Sequence, residues 1–440
     1  MRRALLAALA GAVVCAAACN GGGSATPVGP VPGPGPGPGP GPGPGPGPGP
    51  GPQPPALQLG DPRPDLTQAE LDAFQRGKKI FNHRFKPSQG LGPLYNATSC
   101  VSCHSEPVGG GGSKLYRNFY VASFGGPQVG FSANLPGLPS PIVPAFGSPF
   151  SPTFSLEDGR RSVPQTISGL PVSVGQRNAI PMFGSGLFEF VSDLTILSHA
   201  DPEDADGDGI SGRANNDGAG LGRFGTKAQS NNIELFVRAP LFNHMGISSN
   251  PFQGAAGTVS LGHGAMVQGS ASPNDPTFDA DGVPDPEMSH NDLGDLIAFT
   301  RFLAPPEPLE FNAAALRGQE LFGDVGCAKC HFPEIESSRG PIAAYTDLLL
   351  HDMGPELAGE VSFGTPQPGG PNDPTTTESE WRTAPLWGIR HVGPYLHDGR
   401  ANTLDQAIRL HGGESLAIRN AYVALTQQER EDILEFLRHL

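Results

Sequence analysis

The chain has 440 residues, of which 62 are glycine and 49 are proline, and its 43 acidic and 28 basic residues give a formal net charge of −15. So acidic a chain is not expected to bind nucleic acid, and electrostatic steering favours basic partners such as small electron carriers. About 385 residues follow a low-complexity stretch near the amino terminus. A single hydrophobic core rarely organises so many residues, so two domains are predicted.

The amino-terminal residues 1–19 have the pattern of a secretory signal peptide. Arg2 and Arg3 precede an apolar run from Ala4 to Val14, and small residues follow up to Cys19. The ending AAAC resembles a lipoprotein box, with Cys19 as the lipidated residue; cleavage without a lipid is the alternative. The pattern predicts an exported protein, periplasmic or on the cell surface. No membrane attachment beyond that lipid anchor is predicted.

Residues 20–60 are predicted to be a Gly/Pro-rich tether. From Gly33 to Pro52 the chain is an unbroken Gly-Pro repeat, whose period of two excludes a collagen triple helix. Alternating proline favours extended backbone, so this stretch spans up to about 60 Å at roughly 3.1 Å per residue. It is predicted to be a spacer between an anchor and the folded part.

The pentapeptide C-x-x-C-H occurs twice, as CVSCH at Cys100 to His104 and as CAKCH at Cys327 to His331. It is the c-type haem attachment pattern, in which two thiols add to the haem vinyl groups and the histidine binds the iron. A zinc site, a redox dithiol or a disulfide fits less well, because none of these requires a histidine directly after both cysteine pairs. The predicted haem-binding residues are Cys100, Cys103, His104, Cys327, Cys330 and His331.

An internal repeat surrounds the two motifs. RGKKIF at Arg76 to Phe81 matches RGQELF at Arg317 to Phe322, and DLIAFTRFL at Asp295 to Leu303 matches DILEFLRHL at Asp432 to Leu440. All four segments have helical spacing of apolar residues, and Thr67 with Glu70 and Thr426 with Glu429 are capping boxes that predict two helix starts. The repeat predicts a mainly α fold with two cytochrome c-like haem domains, residues 61–304 and 305–440. The first is longer, so long loop-rich insertions are expected there.

Four further segments resemble a known family. The run from Trp381 to Glu414 resembles the bacterial di-haem cytochrome c peroxidase superfamily. The segments that begin at Asp347, Asp204 and Gly222 are similar to its di-haem thiol oxidoreductase-like branch. The resemblance implies two haem domains, one haem relaying electrons and the other being the reactive centre.

The resemblance also implies a distal ligand for the second iron, shortly after a Tyr-x-His-x-Gly motif. Counting on from Tyr395 places His411 at that position, which predicts a bis-histidine centre with His331. Met353 and His351 are alternatives as ligands, Met353 also being a candidate core residue. His397 is a further alternative, although it is more easily read as a hydrogen-bonding loop residue.

No candidate dominates on the first iron. Met245 is nominated because its NHMG segment resembles the segment around Met353, although the order of the neighbouring motifs differs. Glu189 is a candidate distal acid-base catalyst for splitting a peroxide, or else a salt-bridge residue. Arg177 and Arg382 occupy matching places and are predicted to bind haem propionates, with a surface role as the alternative.

The segment D-x-D-x-D-G at Asp204, Asp206 and Asp208 matches the first half of a calcium loop. The twelfth position holds Asn215 instead of glutamate, so the loop is not an EF-hand. Calcium ions found near the domain junction of related di-haem peroxidases make this loop a candidate calcium site.

Taken together, the chain is expected to be an exported di-haem oxidoreductase. An external donor, such as a small redox protein, would reduce the His331 haem, and electrons would pass to the His104 haem, where peroxide or a related oxidant is reduced. The alternatives are an electron-transfer cytochrome with both irons six-coordinate, and an oxidase of a thiol or protein substrate.

Overall fold

The structure is a computed structural model that describes residues 57–124, 142–147, 153–154, 161–162, 166–167, 170–215, 220–249, 282–284, 286–359 and 377–440. The predicted signal peptide and Gly-Pro tether lie outside these residues. Residues Ala56–Leu440 cluster as one compact unit.

Helices dominate the part of the chain that the structure describes. They are α1 (Gln68–Asn82), α2 (Asp193–Ser198), α3 (Ile233–Met245), α4 (His290–Phe302), α5 (Ala313–Val325), α6 (Leu404–Arg409), α7 (Leu416–Ala424) and α8 (Gln427–His439). None of the described helices is both long enough and apolar enough to span a bilayer.

The strands are short and form small sheets. They are β1 (Phe119–Phe124), β2 (Ile142–Val143), β3 (Thr153–Phe154), β4 (Arg161–Ser162), β5 (Thr166–Ile167), β6 (Leu170–Arg177), β7 (Leu350–Asp352) and β8 (Glu380–Arg382). The largest sheet has the order β2-β1-β6-β5, and β3 pairs with β4 and β7 with β8. The prediction of a mainly helical fold is confirmed, and the division into haem domains at residue 305 stays a prediction.

The internal repeat corresponds to two helix pairs, α1 with α4 and α5 with α8. A glycine lies at each crossing: an added Cβ on Gly77 would come within 1.9 Å of the Asp295 carbonyl oxygen, and one on Gly318 within 1.9 Å of the Asp432 carbonyl oxygen. In each repeat the arginine directly before the glycine forms a bidentate ion pair with the aspartate that the glycine faces. Arg317, for example, donates to the Asp432 carboxylate at 2.8 and 3.0 Å. The same helix crossing therefore occurs twice, and in each pair one helix precedes the haem motif and the other follows it.

Capping boxes begin the first helix of one pair and the second helix of the other. Thr67 caps α1 together with Glu70, and Thr426 caps α8 together with Glu429. In each box the threonine side chain accepts from the glutamate N–H, and the glutamate side chain accepts from the threonine N–H. The helix starts predicted from these residues are confirmed.

Two buried apolar clusters support the motifs. The first contains Phe74, Phe81 and Phe299 at the α1–α4 crossing and extends to Leu349 next to β7. The second contains Phe322 and Phe436 at the α5–α8 crossing. Each cluster also includes the first cysteine of the neighbouring haem motif among its partly buried residues. The packing therefore places each motif at the edge of a rigid helical core.

Candidate functional site

The first haem motif is a single tight turn. Cys100–Ser102 form a 3-10 helix, and the His104 N–H donates to the Cys100 carbonyl oxygen at 3.2 Å. The His104 Nδ1 lies 3.0 Å from the Gly111 carbonyl oxygen. Because a carbonyl oxygen can only accept, Nδ1 must carry the proton and Nε2 keeps its lone pair for a metal.

The second motif repeats this geometry. Cys327–Lys329 form the turn, and the His331 N–H donates to the Cys327 carbonyl oxygen at 3.0 Å. The His331 Nδ1 donates to the Tyr345 carbonyl oxygen at 2.9 Å. Both histidines are therefore oriented by their Nδ1–H groups as iron ligands usually are.

The partly buried thiols have pKa values that do not suit a nucleophilic dithiol. Burial raises the pKa of Cys100 to about 12 and that of Cys327 to about 12. A nucleophilic cysteine needs a stabilised thiolate, which these surroundings oppose. Carbon–sulfur bonds to a haem need no resident thiolate, so the cysteines fit the haem interpretation.

A cavity lies over the first motif, between α1, α3, α4, the loop at residues 225–229 and the start of β1. Its walls are mainly apolar, and several polar side chains converge on it. These polar side chains include Asn96, His104, Arg177 and His244, and the apolar Met245 also lines the cavity.

His244 lies within electrostatic range of His104. Burial, and then the His104 imidazole, lower the pKa of His244 to about 4, so its ring is neutral at pH 7. Sequence reasoning did not select His244, although the NHMG segment that nominated Met245 contains it. Met245 is 3% exposed and belongs to the core cluster, so it also serves packing, and its ligand role stays a prediction.

At the second site the structure places His411 near His331. Burial, opposed by the hydrogen bond to Tyr345, lowers the pKa of His331 to about 4, and the nearby His411 imidazole adds to the lowering. The His411 Nδ1 donates to the Ala407 carbonyl oxygen at 2.8 Å, one turn back along α6. His411 therefore also keeps its Nε2 lone pair, as its predicted ligand role requires.

His351 is engaged at both ring nitrogens. Its Nε2 lies 2.8 Å from an Asp347 carboxylate oxygen, and its Nδ1 lies 3.0 Å from a Glu414 carboxylate oxygen and 3.6 Å from the Cys330 sulfur. Although burial lowers it, these hydrogen bonds, with that to Asp347 foremost, raise the pKa of His351 well above its usual range. The carboxylates of Asp347 and Glu414 therefore occupy both ring nitrogens, which does not favour His351 as an iron ligand, and its ligand role stays an alternative prediction.

The other two alternatives lie beside β8. The Met353 N–H donates to the Ser379 carbonyl oxygen at 2.9 Å, which places the residue in the backbone pairing and leaves its ligand role a prediction. His397 stacks on Trp381 with ring centroids 3.7 Å apart. Burial, and then the neighbouring Arg177 charge, lower the pKa of His397 to about 2. His397 therefore contributes a neutral ring to an aromatic stack.

Of the two predicted propionate-binding arginines, Arg177 is buried and Arg382 is half-buried, and both are incompletely bonded. Arg177 is 2% exposed and lines the first cavity, and its Nη2 has no hydrogen-bond partner among the described residues. Arg382 donates from Nε to the Gly225 carbonyl oxygen, but its Nη1 has no partner among the same residues. Burial lowers the pKa of each to about 10, so both stay charged at pH 7. Buried guanidinium N–H groups require an acceptor, and haem carboxylates would supply it.

Glu189 forms a structural ion pair. Its two oxygens accept from the Arg301 guanidinium at 2.6 and 3.1 Å, and one also accepts from the Ile233 N–H at the start of α3. The residue is not part of the cavity wall. These contacts correspond to the salt-bridge alternative and do not support the acid-base role predicted for Glu189.

The acidic loop brings together a different trio from the predicted one. Carboxylate oxygens of Asp201, Asp204 and Asp206 lie within 4.8 Å of one another. Asp208 instead pairs with Lys329 of the second haem motif, with 2.9 Å between Nζ and the carboxylate. The loop is therefore tied to the second site, and three of its oxygens could share a cation.

Comparisons with known proteins find a family and related sequences. A family profile described as "Di-haem oxidoreductase, putative peroxidase" matches residues 161–440. The methylamine utilization protein MauG of Methylorubrum extorquens is 31% identical over 135 residues, which cover 29% of this chain and 35% of that protein. Hydrazine synthase subunit gamma of Kuenenia stuttgartiensis is 31% identical over 156 residues, covering 29% of this chain and 41% of that protein.

Similar solved structures include the diheme peroxidase BthA from Burkholderia thailandensis. It is 18% identical, with 87% of each chain covered and a TM-score of 0.39. Of the two relatives matched by sequence, MauG and hydrazine synthase subunit gamma, the chain spans less than half of the length.

Proposed function

Because this chain belongs to the di-haem oxidoreductase family, we propose that it is a peroxidase-type enzyme that passes electrons from an external donor through one haem to a second, reactive haem. The family match confirms the resemblance predicted from the sequence. Membership implies two haem cofactors.

The haems are proposed to be covalently bound c-type groups. Each C-x-x-C-H segment forms the same turn, with two partly buried cysteines and a histidine whose Nδ1–H is held by a carbonyl. The buried guanidinium atoms of Arg177 and Arg382 that lack partners among the described residues support propionates beside them. When bound, such a haem supplies an iron that exchanges single electrons and can bind a small oxygen ligand.

The two sites are proposed to have different roles. His331 and His411 both present Nε2 lone pairs, which favours a closed, six-coordinate centre suited to electron relay. The His104 site opens on the cavity that His244 lines, where an oxidant could enter. This difference between a histidine pair and an accessible cavity is the observation that carries the assignment of the reactive centre.

Spectroscopy of protein matured with a cytochrome assembly system tests the proposal. We expect two haems per chain, retained after denaturation, and one high-spin ferric signal that responds to peroxide. Two low-spin signals, with no binding of carbon monoxide after reduction, would leave only an electron carrier. In that case the peroxidase proposal is rejected.

Export, anchoring and calcium binding complete the proposal. The signal pattern ending at Cys19 supports an exported, lipid-anchored protein, and the net charge of −15 supports a small basic redox partner. Calcium is proposed at Asp204 and Asp206, with Asp201 in the place first expected for Asp208. Labelling with a lipid precursor tests the anchor at Cys19. Calcium titration of the purified protein tests the acidic loop.

A further inference from the structure

We propose that His244 is a hydrogen-bond donor to small ligands in the His104 cavity and would not ligate the iron of a haem bound there, and that Asn96 enforces this role by selecting which ring nitrogen carries the proton. The inference rests on the proposed function, because it concerns ligands that enter the His104 cavity.

The orientation of the Asn96 amide is determined by its neighbours. Its Oδ1 accepts from the Ala145 N–H at 2.9 Å, and a backbone N–H can only donate. The Nδ2 group therefore points the other way, where it lies 3.4 Å from the His244 Nδ1. An amide flip would place Nδ2 against the Ala145 N–H, two donors facing each other, so the assignment follows from the network.

His244 is held firmly in this position. Its carbonyl oxygen accepts from the N–H groups of Asn96 and Ala97 at 2.7 and 3.2 Å. The Phe119 ring packs edge-on against the imidazole with centroids 4.7 Å apart. The Asn96 contact therefore acts on a ring whose place at the end of α3 is already set by the backbone.

His244 differs from the three histidines proposed as iron ligands in the partner of its Nδ1 atom. His104, His331 and His411 each direct Nδ1 at a backbone carbonyl oxygen, so Nδ1 carries the proton and Nε2 keeps a lone pair. His244 instead directs Nδ1 at an N–H donor, so its Nδ1 must accept. A neutral imidazole has one N–H group, which then lies on Nε2.

The consequence is a polar group aimed into a mainly apolar cavity. Protonated Nε2 has no lone pair for the iron, which leaves the sixth position to a small incoming ligand. The Nε2–H group suits ligands with an anionic or oxygen acceptor atom, such as a peroxide. The Asn96–His244 pair would therefore determine which small molecules the first site holds.

Fluoride is a suitable probe, because it binds ferric haem and its strength there depends on hydrogen-bond donors. In the full-length holoprotein we expect the His104 haem to be high-spin before any ligand is added. His244→Leu should leave it high-spin and weaken fluoride binding at least tenfold, which corresponds to about 1.4 kcal/mol. If the His104 haem is instead low-spin and becomes high-spin in His244→Leu, then His244 is a ligand and the inference is overturned.

Asn96→Asp tests the role of the amide directly. One carboxylate oxygen can keep the Ala145 N–H bond while the other accepts from His244 Nδ1–H, which would move the proton off Nε2. We expect fluoride binding at the His104 haem to weaken at least tenfold, because Nε2 would then present a lone pair to the anion. The matched control is Asn82→Asp, since Asn82 is exposed at the end of α1, and its fluoride binding should equal that of the wild type.

Unchanged fluoride binding in Asn96→Asp would overturn the inference as well. These spin-state and fluoride measurements do not depend on turnover. The proposed peroxidase function fails separately, if peroxide leaves the electronic spectra of both haems unchanged.

Discussion

Replacing Gly318 by alanine should destabilise the protein through one steric contact. The new Cβ would lie 1.9 Å from the Asp432 carbonyl oxygen, whereas real Cβ contacts are essentially never under 3.0 Å. The α5 and α8 backbones would have to separate by at least about 1.1 Å, the difference between these two distances. The oxygen belongs to a helical backbone and cannot rotate away as a side chain can.

The magnitude follows from two opposing effects. Overpacking of a tight core costs about 1–3 kcal/mol, and a backbone obstacle puts this site at the upper end. Alanine in place of a helical glycine returns about 1 kcal/mol. We therefore expect Gly318→Ala to lower the free energy of unfolding by about 2 kcal/mol.

The same helix offers a matched control. Gly323 is exposed in α5, and an added Cβ there would meet nothing within 4 Å. Gly323→Ala should therefore raise the free energy of unfolding by about 0.5–1 kcal/mol. Urea unfolding of both holoproteins, followed by far-ultraviolet circular dichroism, compares them. If Gly318→Ala is as stable as Gly323→Ala, the close approach of α5 and α8 does not exist.

Three further perturbations test the sites. His411→Ala should convert the second haem from low-spin to high-spin in electron paramagnetic resonance, and an unchanged low-spin signal contradicts its ligand role. Arg177→Met should lower the midpoint potential of the first haem, because a nearby cation disfavours the oxidised iron, whereas the exposed Arg84→Met should leave it unchanged. Burial raises the pKa of Glu414, but hydrogen bonds from His351 and Ser211 outweigh it and lower the pKa to about 2. The stability that this carboxylate contributes is therefore present above its unfolded pKa of about 4.3 and is lost as the pH falls towards 2. Glu414→Gln should show a shallower loss of stability over that pH range in urea titrations, and an equal slope contradicts the assignment.

The helical framework could be predicted from local sequence because its signals are local. The capping boxes at Thr67 and Thr426 and the repeated arginine-glycine pairs lie on single helices, and each appears in the structure as expected. The position of His411 also followed from counting along one segment. Such features depend on neighbours in sequence, for which pattern reasoning is adequate.

The polar surroundings of the first cavity are long-range. Asn96 and His244 are 148 residues apart, and Asp208 meets Lys329 across a separation of 121 residues. No residue pattern indicates which amide atom will face which ring nitrogen, or which aspartate will be drawn into an ion pair.

The sequence by itself determined the two C-x-x-C-H motifs and the repeated helices around them, and the family resemblance pointed to the histidine near His331. Only the tertiary structure decided that Glu189 pairs with Arg301, that Asp201 joins the acidic trio, and that His244 faces the first cavity with Nδ1 against an amide donor. The physical reason is that covalent attachment and helix formation are encoded within a few residues, whereas the protonation and pairing of a buried polar group depend on every element packed around it.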